Sequence, residues 1–431
     1  MTDGEVLGFE PPPVKSIEGT GLNLGFISDL VLKVIYFVGY STGYEIADRV
    51  KLPFARVIEE ALEFLKREQY IEVKGAGGLG AAAYQYMITG KGSEKAREVL
   101  ERSEYVGPAP VTLEAYAHAV RQQPLSSVTI HQRAMRKALS HLVINEDAFS
   151  RIGPAANSGR SIFLYGPTGD GKTSIAESIG RMMFQNDIYV PYAIEVDGQI
   201  IKLFDEASHQ RVEEDNEARE KARGRANLDQ RWVLVHRPVI ITGGELTLDG
   251  LDLTYNEITK YYEAPFQVKA NGGMLLIDDF GRQQVRPRDL LNRWIVPLEK
   301  RVDYLTLHTG RKIEVPFEVL IVFSTNLEPK DLVDEAFLRR IRHKIYIGDP
   351  TFEEYREIFK RVCKARGVPY DDEGLAYLLK EHYLKPGRPL RACQPRDLVD
   401  ELIDIARYLN VTPELSHDLI NRACEAYFVE I

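Results

Sequence analysis

The stretch that decides the fold is SIFLYGPTGDGKTSIAESIG, residues 161–180. Its first five residues predict a short buried strand, and its last residues open a helical pattern. Between them lies Gly-x-x-x-x-Gly-Lys-Thr, in the strand–loop–helix context that such a motif requires. Gly166, Gly169 and Gly171 permit backbone angles that point successive N–H groups at one anion. The helix adds its positive N-terminal end, so the stretch predicts a loop that holds phosphate.

In this Walker A loop, Lys172 is placed to reach the β- and γ-phosphates of a nucleotide, and the Thr173 hydroxyl to ligate Mg²⁺. ATP and Mg²⁺ are therefore the predicted cofactors. The predicted nucleotide contacts are Gly166, Pro167, Thr168, Gly169, Asp170, Gly171, Lys172, Thr173 and Ser174.

A phosphate-binding loop needs a metal carboxylate, and GGMLLIDDFGR at 272–282 offers two acidic residues at the end of a hydrophobic run. Asp278 can complete the Mg²⁺ shell. Asp279 is then placed to orient or deprotonate the attacking water. Two acidic residues at a strand end are common alone, but downstream of a Walker A loop they predict a Walker B site.

Two further sequence motifs follow the predicted Walker A and Walker B motifs. VLIVFSTNL at 319–327 predicts a buried strand that ends at Asn326, and DEAFLRRIRHKI at 334–345 predicts a helix end with two arginines. A Walker A loop, an acidic strand end, a strand ending in Asn and an arginine pair, in this order, resemble the AAA+ ATPases over about 150–430. The resemblance implies an α/β P-loop AAA+ core with a parallel sheet flanked by helices, and ATP hydrolysis by a ring, as a hexamer.

The resemblance also implies roles for single residues. Asn326 corresponds to sensor 1, which helps to position water. Arg340 or Arg339 corresponds to the arginine finger that enters a neighbouring subunit's site. Arg340 is favoured because it directly precedes an apolar residue, and a solvated basic helix end is the alternative.

The C-terminal part resembles the AAA+ lid, with helical patterns near 351–366, 371–383, 396–409 and 413–428. Arg396 begins one of these helices, where the family carries sensor 2, which implies a contact with the nucleotide. Arg388 and Arg391 lie close by, and an arginine at a helix start often faces solvent.

Residues 27–105 predict three helices, two short strands around the glycine-rich AGGLGAAA, and a closing helix. This order resembles a winged-helix domain, whose third helix often enters the DNA major groove. A helix that faces phosphates should be cationic. Residues 1–110 contain 12 basic and 16 acidic residues, which favours protein interaction or ring packing over DNA.

The predicted organisation has five parts: a flexible tail at 1–20, a winged-helix-like domain at 21–105, a linker and helix at 106–150, an AAA+ large α/β subdomain at 151–348 with an insertion at about 187–270, and a helical lid at 349–431.

The insertion contains Asp197-Gly198, which predicts a hairpin turn, and a charged stretch at 211–231 that predicts a solvated helix. Its role is open between partner or pore contacts and inert surface. HTGRK at 308–312 predicts a second hairpin, in a position where many AAA+ remodellers carry one facing the ring's pore.

The composition of the chain limits which partners and which cellular compartment we expect. The net charge of -9 disfavours a general binder of nucleic acid or of anionic membranes, although nucleic acid is not excluded. The three cysteines form no CxxC pair, which favours a reducing, cytoplasmic compartment without zinc or disulfides. The apolar run DLVLKVIYFVGY contains Lys33 and is too short to span a membrane, and the acidic N-terminus is unlike a signal peptide.

Three functions remain as hypotheses. The first is a bacterial AAA+ ATPase of the chaperone or remodelling type, acting on an unidentified protein client. The second is a DNA-associated motor, loader or transcription activator that uses the winged helix. The third is a slow ATP switch or scaffold, because Asp279 stands where the family usually has Glu.

Overall fold

The computed structural model describes residues 8–76, 78, 80–127, 129–183, 187–212, 228–329 and 338–428. The helix predicted at 211–231 and the first residues of the one predicted at 334–345 lie largely outside these ranges. None of the helices in the described ranges is long and apolar enough to cross a membrane.

The N-terminal unit contains α1 (Ile17–Thr20), α2 (Leu24–Val38), β1 (Tyr40–Thr42), α3 (Gly43–Val50), α4 (Glu59–Arg67), β2 (Ile71–Ala76), β3 (Tyr84–Ile88) and α5 (Gly90–Leu100). Its strands form an antiparallel sheet in the order β1-β3-β2. Thr42 caps α3 in a capping box with Glu45. The positive φ of 66° at Arg56 interrupts the predicted third helix, so α4 begins at Glu59. The winged-helix interpretation stays a prediction.

The flexible tail predicted at 1–20 is wrong for residues 8–20. The ring of Phe9 packs against Trp232, with centroids 4.9 Å apart, and Ile17 is buried. Arg231 donates to the carbonyl of Thr20 at 2.9 Å. The prolines suggested a loose segment, but the apolar residues around them find partners about 200 positions along the chain.

The middle of the chain contains β4 (Val111–Thr112), α6 (Leu113–Gln122), α7 (Gln132–Ala138), α8 (Glu146–Asn157), β5 (Ser161–Tyr165), α9 (Lys172–Met183), β6 (Asp187–Pro191), β7 (Ala193–Val196), β8 (Gln199–Lys202), β9 (Trp232–His236) and β10 (Val239–Thr242). It continues with β11 (Thr254–Tyr255), β12 (Tyr262–Glu263), α10 (Phe266–Lys269), β13 (Met274–Ile277), α11 (Pro287–Lys300), β14 (Val302–Thr306), β15 (Lys312–Pro316), β16 (Leu320–Thr325) and β17 (His343–Tyr346).

The central sheet is parallel throughout, in the order β10-β13-β16-β5-β17. Its strands are apolar runs because helices cover both faces. Ile162 packs with Ile175 of α9 on one face, and Phe163 with Trp294 of α11 on the other. The predicted core of a parallel sheet flanked by helices is confirmed. Because the carboxyl ends of parallel strands meet at one edge, the loops after β5, β13 and β16 converge there.

The insertion predicted at about 187–270 is wrong at β10, which pairs in parallel with β13 as an edge strand of the central sheet. The segments around it form a second sheet, in the order β11-β12-β8-β7-β4, and the antiparallel ribbon of β6 and β9. The hairpin predicted at Asp197-Gly198 is confirmed between β7 and β8, with φ values of 52° and 77° at the turn.

The hairpin predicted around HTGRK is confirmed as β14 and β15. Leu305 and Ile313 on these strands pack in one cluster with Ile194 of the second sheet. Arg311, in the turn, forms an ion pair with Asp197. The hairpin therefore lies against the second sheet, and its role at a pore stays a prediction.

The C-terminal subdomain contains α12 (Phe352–Arg366), α13 (Asp372–Leu378), α14 (Gln394–Leu409) and α15 (His417–Tyr427). A π-helical turn at Leu379–Leu384 continues α13. The predicted four helices are confirmed, and they pack around Tyr355, Phe359 and Leu402. Hereafter this subdomain is called the lid.

Candidate active site

The Walker A loop joins β5 to α9 and has the backbone that its glycines predict. Gly166, Gly169 and Gly171 have φ values of 142°, 91° and 81°, in a region that disfavours other residues. A Cβ at Gly166 would also overlap the carbonyl oxygen of Ile347. The loop therefore depends on glycine both for its backbone angles and for close approach of a neighbouring chain segment.

Lys172 lies almost enclosed by this loop, with 8% of its surface exposed. Its Nζ donates to the carbonyl oxygens of Gly166 at 3.0 Å and Pro167 at 2.6 Å. Burial lowers the pKa of Lys172, and the nearby carboxylates, first Asp170 and then Asp278 and Asp279, oppose this shift. The amine is thus held by weak neutral partners, which an anion can replace.

The two residues predicted to bind Mg²⁺ are in contact. The Thr173 hydroxyl lies 3.0 Å from Oδ1 and 2.9 Å from Oδ2 of Asp278. Hydroxyl and carboxylate oxygens are the hard ligands that Mg²⁺ prefers, and it takes the rest of its shell from water and phosphate. Within the described part of the chain, no group of three or more His, Cys, Asp or Glu residues could hold a metal.

Asp279 is exposed at the rim and has a left-handed φ of 46°. Aspartate tolerates this conformation better than most residues. The turn is held by Gln283, whose side chain donates to the carbonyl oxygens of Asp278 at 3.1 Å and Asp279 at 3.3 Å. Gln283 was not predicted, because nothing in its sequence context distinguishes it from a surface residue.

Asn326 follows β16 and links the neighbouring strand to the loop. Its Nδ2 donates to Thr168 Oγ1 at 3.2 Å. Its Oδ1 is buried and has no hydrogen-bond partner among the described residues. Buried acceptors are normally paired, so this oxygen is available to a water or ligand.

These side chains open into a cavity of about 440 Å³ between the central sheet and the lid. This volume lies in the range of small-molecule sites, about 300–1,000 Å³. Away from the loop the wall is apolar, formed by Leu142, Val143 and Ile144 before α8 and by Ile358 and Val362 of α12. A phosphate loop at one end and an apolar slot at the other suit a nucleotide.

A Walker A loop, an Asp in contact with its Thr, and an Asn on the strand between them meet at one edge of a parallel sheet, beneath a helical lid. The chain has the AAA+ fold. Residues predicted for the Walker A loop, the Walker B site and sensor 1 line one cavity.

Comparison with known proteins gives one match to a family model and several to solved structures. Residues 351–426, within the lid, match a family described as a domain of unknown function (DUF8689). No curated protein matches.

Among solved structures, the chain is similar to NtrX from Brucella abortus in complex with ATP, at 15% identity and a TM-score of 0.37 over 84% of this chain and 63% of that one. It is also similar to the RuvB Holliday junction branch migration motor of Thermotoga maritima, at 16% identity and a TM-score of 0.36 over 72% and 74%.

The predicted AAA+ sensor 2 residue, Arg396, lines the cavity from α14 and pairs with Asp397 at 3.0 Å. Arg388 instead packs inside the lid, over the ring of Phe428. Arg391 pairs with Asp170 of the Walker A loop. The three neighbouring arginines of the sequence thus have three different environments.

The two candidate AAA+ finger residues, Arg339 and Arg340, do not line the cavity of their own chain. Arg340 Nε lies 2.5 Å from Oε1 of Glu299 on α11, and Arg339 is exposed. A finger acts in a neighbouring subunit's site, so this position is compatible with that role, which stays a prediction.

Proposed function

We propose that this protein binds ATP with Mg²⁺ and hydrolyses it to ADP and phosphate, as a ring-forming AAA+ remodeller of protein partners. The observation that supports it most directly is the contact between Thr173 and Asp278, in a cavity that also holds Lys172 and Asp279. These are the parts that phosphoryl transfer to water requires: a phosphate cradle, a metal carboxylate and a base.

Each residue has a distinct task in this proposal. Lys172 exchanges its two carbonyl partners for the β- and γ-phosphates. Thr173 and Asp278 hold Mg²⁺, which neutralises charge on the transferred group. Asp279 accepts the proton of the attacking water or orients it, and the unpaired Oδ1 of Asn326 accepts a second hydrogen bond from that water.

Phosphate release from ATP, with and without Mg²⁺, tests the proposal. The wild-type chain should turn over only with Mg²⁺, and Asp278→Asn should lose turnover because the metal loses a charged ligand. Asp404→Asn, on the exposed surface of the lid, is the matched control. A wild-type chain that neither binds nor hydrolyses ATP would refute the proposal.

A slow ATP switch is the alternative that Asp279 favours. Its carboxylate is one methylene shorter than the usual Glu, and it is exposed at the rim. If this length limits the rate, Asp279→Glu should accelerate hydrolysis, while Asp279→Asn should bind ATP and stall. Fast wild-type turnover would exclude the switch.

A DNA-associated motor is the alternative that the N-terminal unit favours, because α2, α3 and α4 precede the hairpin of β2 and β3 in a three-stranded sheet. Its helix α4 carries Glu59, Glu60 and Glu63 against Lys66 and Arg67, so its net charge is negative. Acidic side chains repel phosphate, so we favour a protein partner. Titration of duplex DNA over a range of salt concentrations decides between the two. If the protein contacts phosphates, the logarithm of the binding constant falls with the logarithm of the salt concentration, with a slope of about −0.9 per contact.

The cysteines bear on the compartment. Cys363, Cys393 and Cys424 are all unpaired, and Cys363 and Cys424 are buried. Free thiols fit a reducing cytoplasm, which is the location we propose.

A further inference from the structure

The side chain of Asp170 is directed to the lid, although the residue belongs to the Walker A loop. The residue is 6% exposed. Its Oδ1 accepts the backbone N–H of Ala392 at 3.1 Å, and its Oδ2 lies 3.4 Å from Nη1 of Arg391. A buried carboxylate is costly unless it is hydrogen-bonded or paired, so this contact between loop and lid is a specific one.

Two more contacts strengthen the same junction. The N–H of Cys393 donates to the carbonyl of Gly169 at 2.8 Å. A Cβ at Gly169 would lie 2.5 Å from Cys393 Sγ, which shows how closely the two segments approach. Arg391 also pairs with Asp349, on the connection between β17 and the lid. Three consecutive lid residues, 391–393, therefore lie on two consecutive loop residues, 169 and 170.

This junction immediately precedes Arg396, which lines the cavity from the first turn of α14. The backbone N–H of Arg396 donates to the carbonyl of Cys393 at 3.1 Å, so a shift of residues 391–393 moves Arg396. The junction therefore fixes the position of Arg396 relative to the phosphates that the loop would hold.

We propose that Asp170 is a positioning residue that couples the Walker A loop to the lid and places Arg396 over the nucleotide. The proposal rests on the proposed function, since Arg396 matters only if a nucleotide binds. A loop that reshapes around phosphates would pull on Ala392 and Arg391 through this carboxylate. The lid would then respond to phosphate through the protein as well as through direct contact with the nucleotide.

Hydrogen exchange and steady-state kinetics of three full-length variants test it. Asp170→Ala removes both contacts, Asp170→Asn keeps the acceptor for Ala392 and loses the charge facing Arg391, and Arg391→Gln removes the cation. Arg407→Ala, on an exposed lid arginine paired only with Asp404 among the described residues, is the control.

Without nucleotide, the amides of 391–396 should exchange faster in Asp170→Ala than in the wild type, and the control should not change. With ATP, kcat should fall on the order of 10- to 100-fold, as expected for a displaced catalytic group, while KM changes less. Asp170→Asn should be intermediate. The effects of Asp170→Ala and Arg391→Gln on kcat should not be additive when the two substitutions are combined.

The exchange measurement separates this proposal from the ATPase proposal, because it needs no nucleotide. Wild-type protection at 391–396 and full kcat in Asp170→Ala would overturn the positioning role. A wild-type chain that does not hydrolyse ATP would overturn the ATPase proposal, and with it the coupling, even where the exchange result shows the contact. Loss of protection spread over the entire lid would mean that Asp170 only stabilises the fold.

Discussion

The two sides of the cavity are held in different ways. On the central-sheet side, Thr173 contacts Asp278 where buried parallel strands end, and Lys172, held by two loop carbonyls, is 8% exposed. On the lid side, the arginine side chains are partly open to solvent: those of Arg361 and Arg396 are 43% and 62% exposed. Exposed ion pairs contribute little to stability, about 0–1 kcal/mol each.

This difference indicates which side moves. Strands that are hydrogen-bonded along their length and packed on both faces cannot shift singly. The lid is attached by polar contacts, among them those of Asp170 and Arg361, and can shift where the strands cannot. The sheet side is therefore suited to bind phosphate and metal, and the lid side is suited to report which nucleotide is present.

In the proposed ring, a third side of the cavity comes from another copy of the chain, and breaking it should have the largest effect. Arg340→Ala should keep ATP affinity and lose hydrolysis by about 10³–10⁵-fold, because a finger stabilises charge on the transferred phosphate. Mixing it with Lys172→Ala should partly restore turnover, since some interfaces then join an intact loop to an intact finger. Steady-state phosphate release measures both.

Normal activity in Arg340→Ala and in Arg339→Ala would contradict the assignment of an arginine finger. Turnover per subunit that stays constant down to concentrations at which the protein is monomeric would contradict the ring. Arg340→Ala also breaks the pair with Glu299, so Glu299→Gln is the control that separates the local contact from the finger.

Lys172→Ala breaks the sheet side and should come next. It removes the cation held inside the loop, and losing one partner of a buried charge pair costs about 2–5 kcal/mol. ATP affinity should therefore fall by at least about 30-fold in a direct binding measurement. Lys66→Ala, on the exposed surface of α4, should bind as the wild type does. Equal affinity in both variants would contradict the phosphate role of the loop.

The sheet side was predictable from sequence because its residues are set by local rules. A strand, a glycine loop and a helix occupy consecutive residues, and parallel strands bring their carboxyl ends to one edge whatever lies between them. That is why Thr173 and Asp278 meet across 105 positions of chain. The same reasoning missed β10, whose apolar run VIIT was assigned to the insertion because a single strand cannot reveal its partner.

The lid side was not predictable in the same way. The helices were placed by periodicity, but the faces by which they dock are a tertiary property. Arg391 and Arg396 look equivalent in sequence, yet one binds Asp170 and the other lines the cavity. Phe9 and Trp232 likewise show that the contacts of a proline-rich segment depend on a distant partner.

Arg361→Ala should sharpen the comparison with a smaller effect. Arg361 of α12 donates to the carbonyl oxygens of Ser140 at 2.7 Å and Leu142 at 3.2 Å, beside the apolar end of the cavity. Hydrogen bonds from charged groups contribute about 1.5–3 kcal/mol, less where they are exposed. ATP affinity should fall about tenfold or less, and Arg407→Ala should leave it unchanged. A loss as large as that of Lys172→Ala would mean that the lid is not the adjustable side.

The last expected effect is on stability and not on affinity, and it is a dependence on pH at the contact between the two sides. Burial is the main cause that raises the pKa of Asp170 from 3.8 to about 6, Asp349 adds to this, and Arg391 and the Ala392 N–H oppose it. A carboxyl whose pKa is higher in the folded than in the unfolded chain stabilises the fold below the unfolded value and loses that contribution as the pH rises through the folded value.

The stability of the wild type relative to Asp170→Asn should therefore fall by about 1–2 kcal/mol between pH 4 and 7, and stay level above that. Thermal unfolding of both chains across this range measures the difference, in which the titration of carboxyls far from Asp170 cancels. Asp349→Asn sharpens the test: without that negative charge the pKa of Asp170 drops, so the fall becomes smaller and ends at a lower pH. A difference between wild type and Asp170→Asn that is constant from pH 4 to 7 would mean that this carboxyl ionises as an exposed one does, and that the junction of loop and lid is open to water.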